Sequence, residues 1–172
     1  MAQKFSYPVK RSPKSDPQQY RVYRMENEAI GARRYHRMTP EVQRGLAAGI
    51  CRNYRVPQVH LEWADLGKWA AEWGSTPRTI RLSTRKGTSQ DLLTLTHELA
   101  HHVHHWLSGG AANKQESHGP EFVGVHMSIL DTCRVIPVVG MRAVCAAWKV
   151  RYADPGTRSS LKQLRRVAQG RA

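Results

Sequence analysis

The chain has 172 residues, enough for one domain with a sizeable core and short tails. Its apolar fraction of 40% and charged fraction of 23% are ordinary for a soluble globular protein, whereas a formal charge of +14 is not and favours an anionic partner, nucleic acid first. No apolar run approaches the eighteen or so residues that cross a bilayer, and the N-terminus lacks a signal-peptide core, so no membrane partner and a cytoplasmic location are expected.

Residues 1–19, with Pro8, Pro13 and Pro17 among Ser, Lys and Gln, have the composition of a mobile basic arm. The following QQYRVYRMENEAI reads as a short strand or a lead-in to the domain. A first helix is better marked: Thr39 is a good N-cap, Pro40 suits the first helical position, and Val42, Leu46, Ala47, Ile50 and Tyr54 recur at helical spacing before Pro57. From Gln58 the period becomes two. Val59, Leu61 and Trp63 alternate with His60 and Glu62, and Ile80 and Leu82 alternate with Thr79, Arg81 and Ser83. Between them Trp69, Ala71 and Trp73 allow a middle strand, which makes a three-stranded antiparallel meander. Arg85-Lys86-Gly87 is a turn, and a long helix then runs, capped by Thr88 or Ser89, to about Leu107 before Gly109-Gly110. Pro120 and Pro137 open two more helices, EFVGVHMSILDTC and PVVGMRAVCAAWKV, and Asp154-Pro155-Gly156 ends the second. Residues 154–172 form a basic tail with an amphipathic stripe of Leu161, Leu164 and Ala168. Cys51, Cys133 and Cys145 are odd in number, far apart and without a C-x-x-C, as buried free thiols would be.

The long helix carries the chemistry. In HELAHHVHHW, residues 97–106, His97 and His101 bracket a glutamate as H-E-x-x-H. At about 100° per residue, His97 and His101 lie near 140° and 180° from Leu92, while Leu95, Leu99, Val103 and Trp106 stay within about 60° of it. Residues four apart are neighbours on a helix, so both imidazoles reach one ion, and Glu98 beside them reaches a water on the same ion. His102 and His105 point elsewhere. His104 shares the face, but three imidazoles on one straight helix do not readily converge on a tetrahedral ion, so surface or supporting roles are expected for all three.

Such a site needs a third ligand and an open position. The extended pattern H-E-x-x-H-x-x-G-x-x-H fails at His104 and Leu107. Glu116, Glu121, His118 on the Gly119-Pro120 turn, and His126 on the stripe Phe122, His126, Ile129, Cys133 are the candidates; local geometry and zinc's preference for imidazole favour His118 over Glu121. Peptide deformylase, which pairs the motif with an upstream cysteine in E-G-C-x-S, is excluded because Cys51 sits in GICRN, and a metal-dependent ribonuclease signature, H-G-x-L-H-x-x-G-Y-D-H, is unmatched.

HELAH followed by HGPEF resembles the SprT-like zinc metallopeptidases, related to Spartan-type proteases that cut proteins crosslinked to DNA. Closer still is a small group of metallohydrolases from actinobacteria and their phages, similar in R-V-Y-x-x-E (Arg21 to Glu26), T-P-E-V-Q (Thr39 to Gln43), HELAHH and HGPEFV, over residues of about 20 to 153. The resemblance implies a zincin-like α+β domain over 20–153, with a small antiparallel sheet packed against the HExxH helix and flanking helices. It implies that His97, His101 and His118 bind Zn2+ and that Glu98 is the catalytic acid/base. The chain departs from the group in its run from His102 to His105 and its basic tails, and it has no recognisable zinc ribbon.

The reaction expected is peptide-bond hydrolysis: Glu98 takes a proton from the attacking water and passes it to the leaving amine. Tyr152, Arg142 and Arg151 are candidates to stabilise the oxyanion, and the edge of the last strand, Arg78 to Thr84, is a candidate to take an extended peptide, with Arg81 and Arg85 beside it. The alternative is a non-catalytic nucleic-acid-binding protein with a structural or vestigial metal, using Lys10-Arg11, Arg33-Arg34-Arg37, Arg85-Lys86 and Arg165-Arg166 on phosphates.

Overall fold

The computed structural model describes residues 16–30, 37–67, 69–74, 78–85, 91–109 and 117–154. Among these are five α-helices and three strands: α1 (Gln19–Met25), continued by a π-helical turn (Glu26–Ile30), α2 (Pro40–Tyr54), β1 (His60–Ala64), β2 (Ala71–Gly74), β3 (Thr79–Ser83), α3 (Leu92–Leu107), α4 (Pro120–Thr132) and α5 (Val138–Trp148). The class is α+β, as expected, but the sheet is mixed.

Strand order is β1-β3-β2, with β1 parallel to β3 and β2 antiparallel to it. The antiparallel meander is therefore wrong in order: the strands run in the alternating directions of a meander, but β3 rather than β2 is central, which makes β1 and β3 a parallel pair. Alternation shows which side chains share a face of one strand, but it carries no information about which strand lies beside which. Two consequences follow. The last strand, β3, is paired on both sides and offers no edge to a peptide. Its flanking residues Thr79 and Ser83 are buried along with Ile80 and Leu82, as befits a central strand. The sheet's edges are β1 and β2, and β2 packs on α3.

α2 forms where its caps require. Thr39 accepts a hydrogen bond from the Val42 amide at 3.4 Å, Pro40 occupies the first turn, and Arg55 closes the helix in the left-handed region. Its inner face is Gln43, Ala47, Ile50, Cys51 and Tyr54; Val42 is 54% exposed, contrary to the expected stripe. Gln43 takes the inner position because its side-chain oxygen accepts from the Trp63 indole at 3.1 Å, which satisfies a polar group in the core.

α3 runs through the centre of the domain, between β2, α2 and α4, and is buried on nearly every side. Leu95, Leu99 and Val103 fill the core together with Ile80, Leu82, Phe122, Met127, Ile129 and Leu130. His102 and His104 are buried as well, which rules out a surface role and leaves the supporting one of the two expected. His102 bonds the Pro57 carbonyl at 2.8 Å and accepts from the Trp73 indole at 3.3 Å, tying α3 to the start of β1 and to β2.

The N-terminal segment is helical, not a strand, and it begins earlier than composition implied: Asp16 and Gln18 are buried rather than part of a mobile arm. Gln18 clamps three chain segments together. Its amide donates to the His118 carbonyl at 2.7 Å and the Arg151 carbonyl at 3.1 Å, and its oxygen accepts from the Arg151 amide at 3.0 Å. The proposed cap residues Thr88 and Ser89, the tail beyond Asp154 and the arm before Asp16 lie outside the described residues; Asp91 is the N-terminal cap of α3.

Candidate metal centre

His97 and His101 project from one side of α3, a turn apart. His118 reaches them from the turn that precedes α4, where Gly119 caps the helix and Pro120 begins it. His97 Nε2 lies 3.2 Å from His101 Nε2 and 3.3 Å from His118 Nε2. A tetrahedral ion with metal–nitrogen bonds of about 2.0–2.1 Å holds its ligands about 3.3–3.4 Å apart, so these separations suit a shared ion. The three imidazoles singled out in the sequence do converge. Glu121 and His126 do not join them, and Glu116 lies outside the described residues.

The other ring nitrogens decide what those contacts are. His97 Nδ1 is 2.8 Å from the Glu26 carboxylate, and His118 Nδ1 is 2.6 Å from Asp16. A carboxylate accepts only, so both Nδ1 atoms carry the proton and both Nε2 atoms, in the neutral rings, present lone pairs. Against burial, the Glu26 carboxylate holds the His97 imidazole above its usual range, so these close contacts are relieved either by a proton on His97 Nε2 or by a cation in its place. The donor set therefore fits a metal ion. Phe122 packs against all three rings, 4.3 Å from His101 by centroid, and Tyr23 covers His118 and His97 at 4.9 and 5.4 Å.

Burial and mutual repulsion hold the His101 imidazole well below its usual range, so it is neutral. Glu98, one position along α3 from His97, is buried, and burial pushes its carboxyl up to about 7 despite the opposing His97 and the Trp73 amide. Trp73 of β2 stacks on His101 with the planes 14° apart, which puts the β2 edge of the sheet beside the centre.

Asp16 and Glu26 were missed in the sequence. They stand 102 and 71 residues from their histidines, and no local spacing announces such a pair. Glu26 did appear in the R-V-Y-x-x-E stretch, without a role. His126, read as core-facing, is buried and bonds the same Glu26 oxygen at 3.1 Å. Among the three oxyanion candidates, Arg142 is committed to Asp154 on the surface at 2.6 Å, and the Arg151 backbone is held by Gln18. No protein-family model, curated protein or solved structure matches the chain.

Proposed function

We propose that the protein is a zinc-dependent hydrolase that cleaves peptide bonds, with a zincin-like arrangement of the SprT-like kind that HELAH and HGPEF resemble. The observation that carries this reading is the convergence of three Nε2 atoms from His97, His101 and His118. Three imidazoles leave room for a fourth position, the mark of catalytic rather than structural zinc sites. When bound, zinc supplies Lewis acidity and makes water a nucleophile at neutral pH.

The chain's own groups do the rest. Glu98, adjacent to His97 on α3, takes the proton of the attacking water on its carboxylate and returns it to the leaving amine. His97 and His118 are held in one tautomer by their carboxylates. Phe122 and Tyr23 shield the rings from solvent. An extended peptide is positioned by pairing with the outer edge of β2, Ala71–Gly74, since β3 is central.

Zinc content, cleavage of an unfolded protein such as casein, and loss of both on chelation test the reading. Glu98→Gln retains zinc and loses cleavage; full activity in that variant rejects the assignment. A second reading, a nucleic-acid-binding protein with a structural metal, is favoured by the charge of +14. It predicts DNA binding that weakens steeply with salt, and no cleavage.

A further inference from the structure

We propose that Asp16 and Glu26 are positioning residues of the metal centre, which fix the tautomers of His118 and His97 and supply the negative charge that a divalent ion neutralises. This rests on the metal reading above and assigns the first helical segment of the domain to the outer sphere of the site.

Both carboxylates are buried, and among the described residues their ion-pair partners are histidines alone: Asp16 with His118, Glu26 with His97 and His126. One oxygen of each, Asp16 Oδ1 and Glu26 Oε2, is buried without a hydrogen-bond partner among the described residues. A buried carboxylate needs a compensating positive charge, and a paired imidazole supplies it only by holding a second proton on the Nε2 that faces the cluster. Two such carboxylates flank one imidazole cluster, and a single dication balances both. The separations of 2.6 and 2.8 Å are those of strong N–H···carboxylate bonds, which raise the basicity of the opposite ring nitrogen.

Position is secured independently of any ion. Gln18 binds the His118 carbonyl and both backbone groups of Arg151, so Asp16, two residues earlier, is anchored beside the His118 ring. Glu26 begins the π-helical turn after α1 and reaches between His97 and His126. Glu26, His97 and His126 are also close enough together to hold an ion of their own. However, both imidazoles lie at hydrogen-bond distance, 2.8 and 3.1 Å, from the same Glu26 oxygen, so Oε1 is already taken up in accepting two N–H bonds.

The test uses the full chain and zinc itself. Zinc affinity is measured by competition with a chromophoric chelator for wild type, Asp16→Asn, Asp16→Ala and Glu26→Gln, alongside the visible spectrum of each cobalt-loaded form. One equivalent is expected in wild type. Asp16→Ala and Glu26→Gln each weaken binding about 10- to 100-fold and shift the cobalt bands. Asp16→Asn loses less than Asp16→Ala, because the amide oxygen still accepts from Nδ1–H. If Glu26→Gln fails to fold, the ordering of the two Asp16 variants decides. Unchanged affinity and spectra across the variants, with wild type binding zinc, overturn the inference and leave the metal site standing. So does a second zinc in wild type that Glu26→Gln removes, which makes Glu26 a ligand. A wild-type chain that binds no zinc overturns the metal reading and this one together.

Discussion

At the scale of residues, the centre is a matter of which nitrogen faces inward. His97 and His118 each lend Nδ1 to a carboxylate and turn Nε2 toward His101's neighbourhood. Glu98 differs from them in having no place in that triad while sharing its burial. Glu98→Gln is therefore expected to keep zinc and its thermal stability while lowering kcat by about 10²-fold or more, read by single-variant kinetics beside elemental analysis. The convergence of His97, His101 and His118 was partly legible in the sequence, because helical spacing is a local signal, while the Gly-Pro turn favoured His118 and left Glu121 and His126 open. Asp16 and Glu26 were not, since only folding brings them to their imidazoles. The cysteines were legible in part: Cys133 is free but half-buried, whereas Cys51 and Cys145 are free and buried, and burial pushes the Cys145 thiol up to about 11. A raised thiol pKa means less thiolate at any given pH, so at pH 8 both should resist iodoacetamide in the native protein and react once it is unfolded, which peptide mass mapping shows.

At the scale of elements, α2 and α4 follow their sequence signals to within a residue or two, because prolines, caps and the helical repeat act locally, while α3 starts later than the expected Thr88 or Ser89 cap and α5 ends at Trp148, ahead of the Asp154-Pro155-Gly156 break. The sheet does not. β1 keeps the expected alternation, whereas in β3 Thr79 and Ser83 are buried beside Ile80 and Leu82 and Arg81 alone is exposed; the parallel pairing of the two and the placement of β2 at an edge leave no mark in the alternation. α1 was unreadable as a helix because only Val22 and Met25, with Ile30 in the π turn, face inward over so short a span. The contact between α4 and the chain's return gives a sharper test. Gly124 faces the Ala153 backbone, whose amide donates to the Pro120 carbonyl at 2.7 Å, and a Cβ at position 124 would run into the Ala153 carbonyl oxygen. Since that obstacle is backbone, Gly124→Ala is expected to destabilise by about 1–3 kcal/mol, seen as a lower midpoint in denaturant. An unchanged midpoint would show that residues 150–154 shift freely.

At the scale of the whole molecule, an ion in the proposed centre would be linked to the fold. The centre joins α1, α3 and the turn before α4, so an ion that binds only the folded chain stabilises all three together. At free zinc one hundred times Kd the gain is about 2.7 kcal/mol, and chelation should lower Tm accordingly in a melt with and without a strong chelator. The charge of +14 was evident from composition alone, but its use was not. Arg24, Arg44, Arg81, Arg85 and Arg142 are spent on nearby carboxylates at the surface, while Lys10-Arg11 and Arg165-Arg166 lie outside the described residues. No helix among the described residues is long and apolar enough to cross a membrane.

Metal content of purified wild type and of His118→Ala, read by elemental analysis after dialysis against trace zinc, bears most directly on the convergence of helix and turn. One zinc per wild-type chain and a loss of most of it in His118→Ala is the expected result. A wild-type chain that holds no metal, or a His118→Ala variant that keeps a full equivalent with unaltered affinity, would contradict the three-imidazole centre.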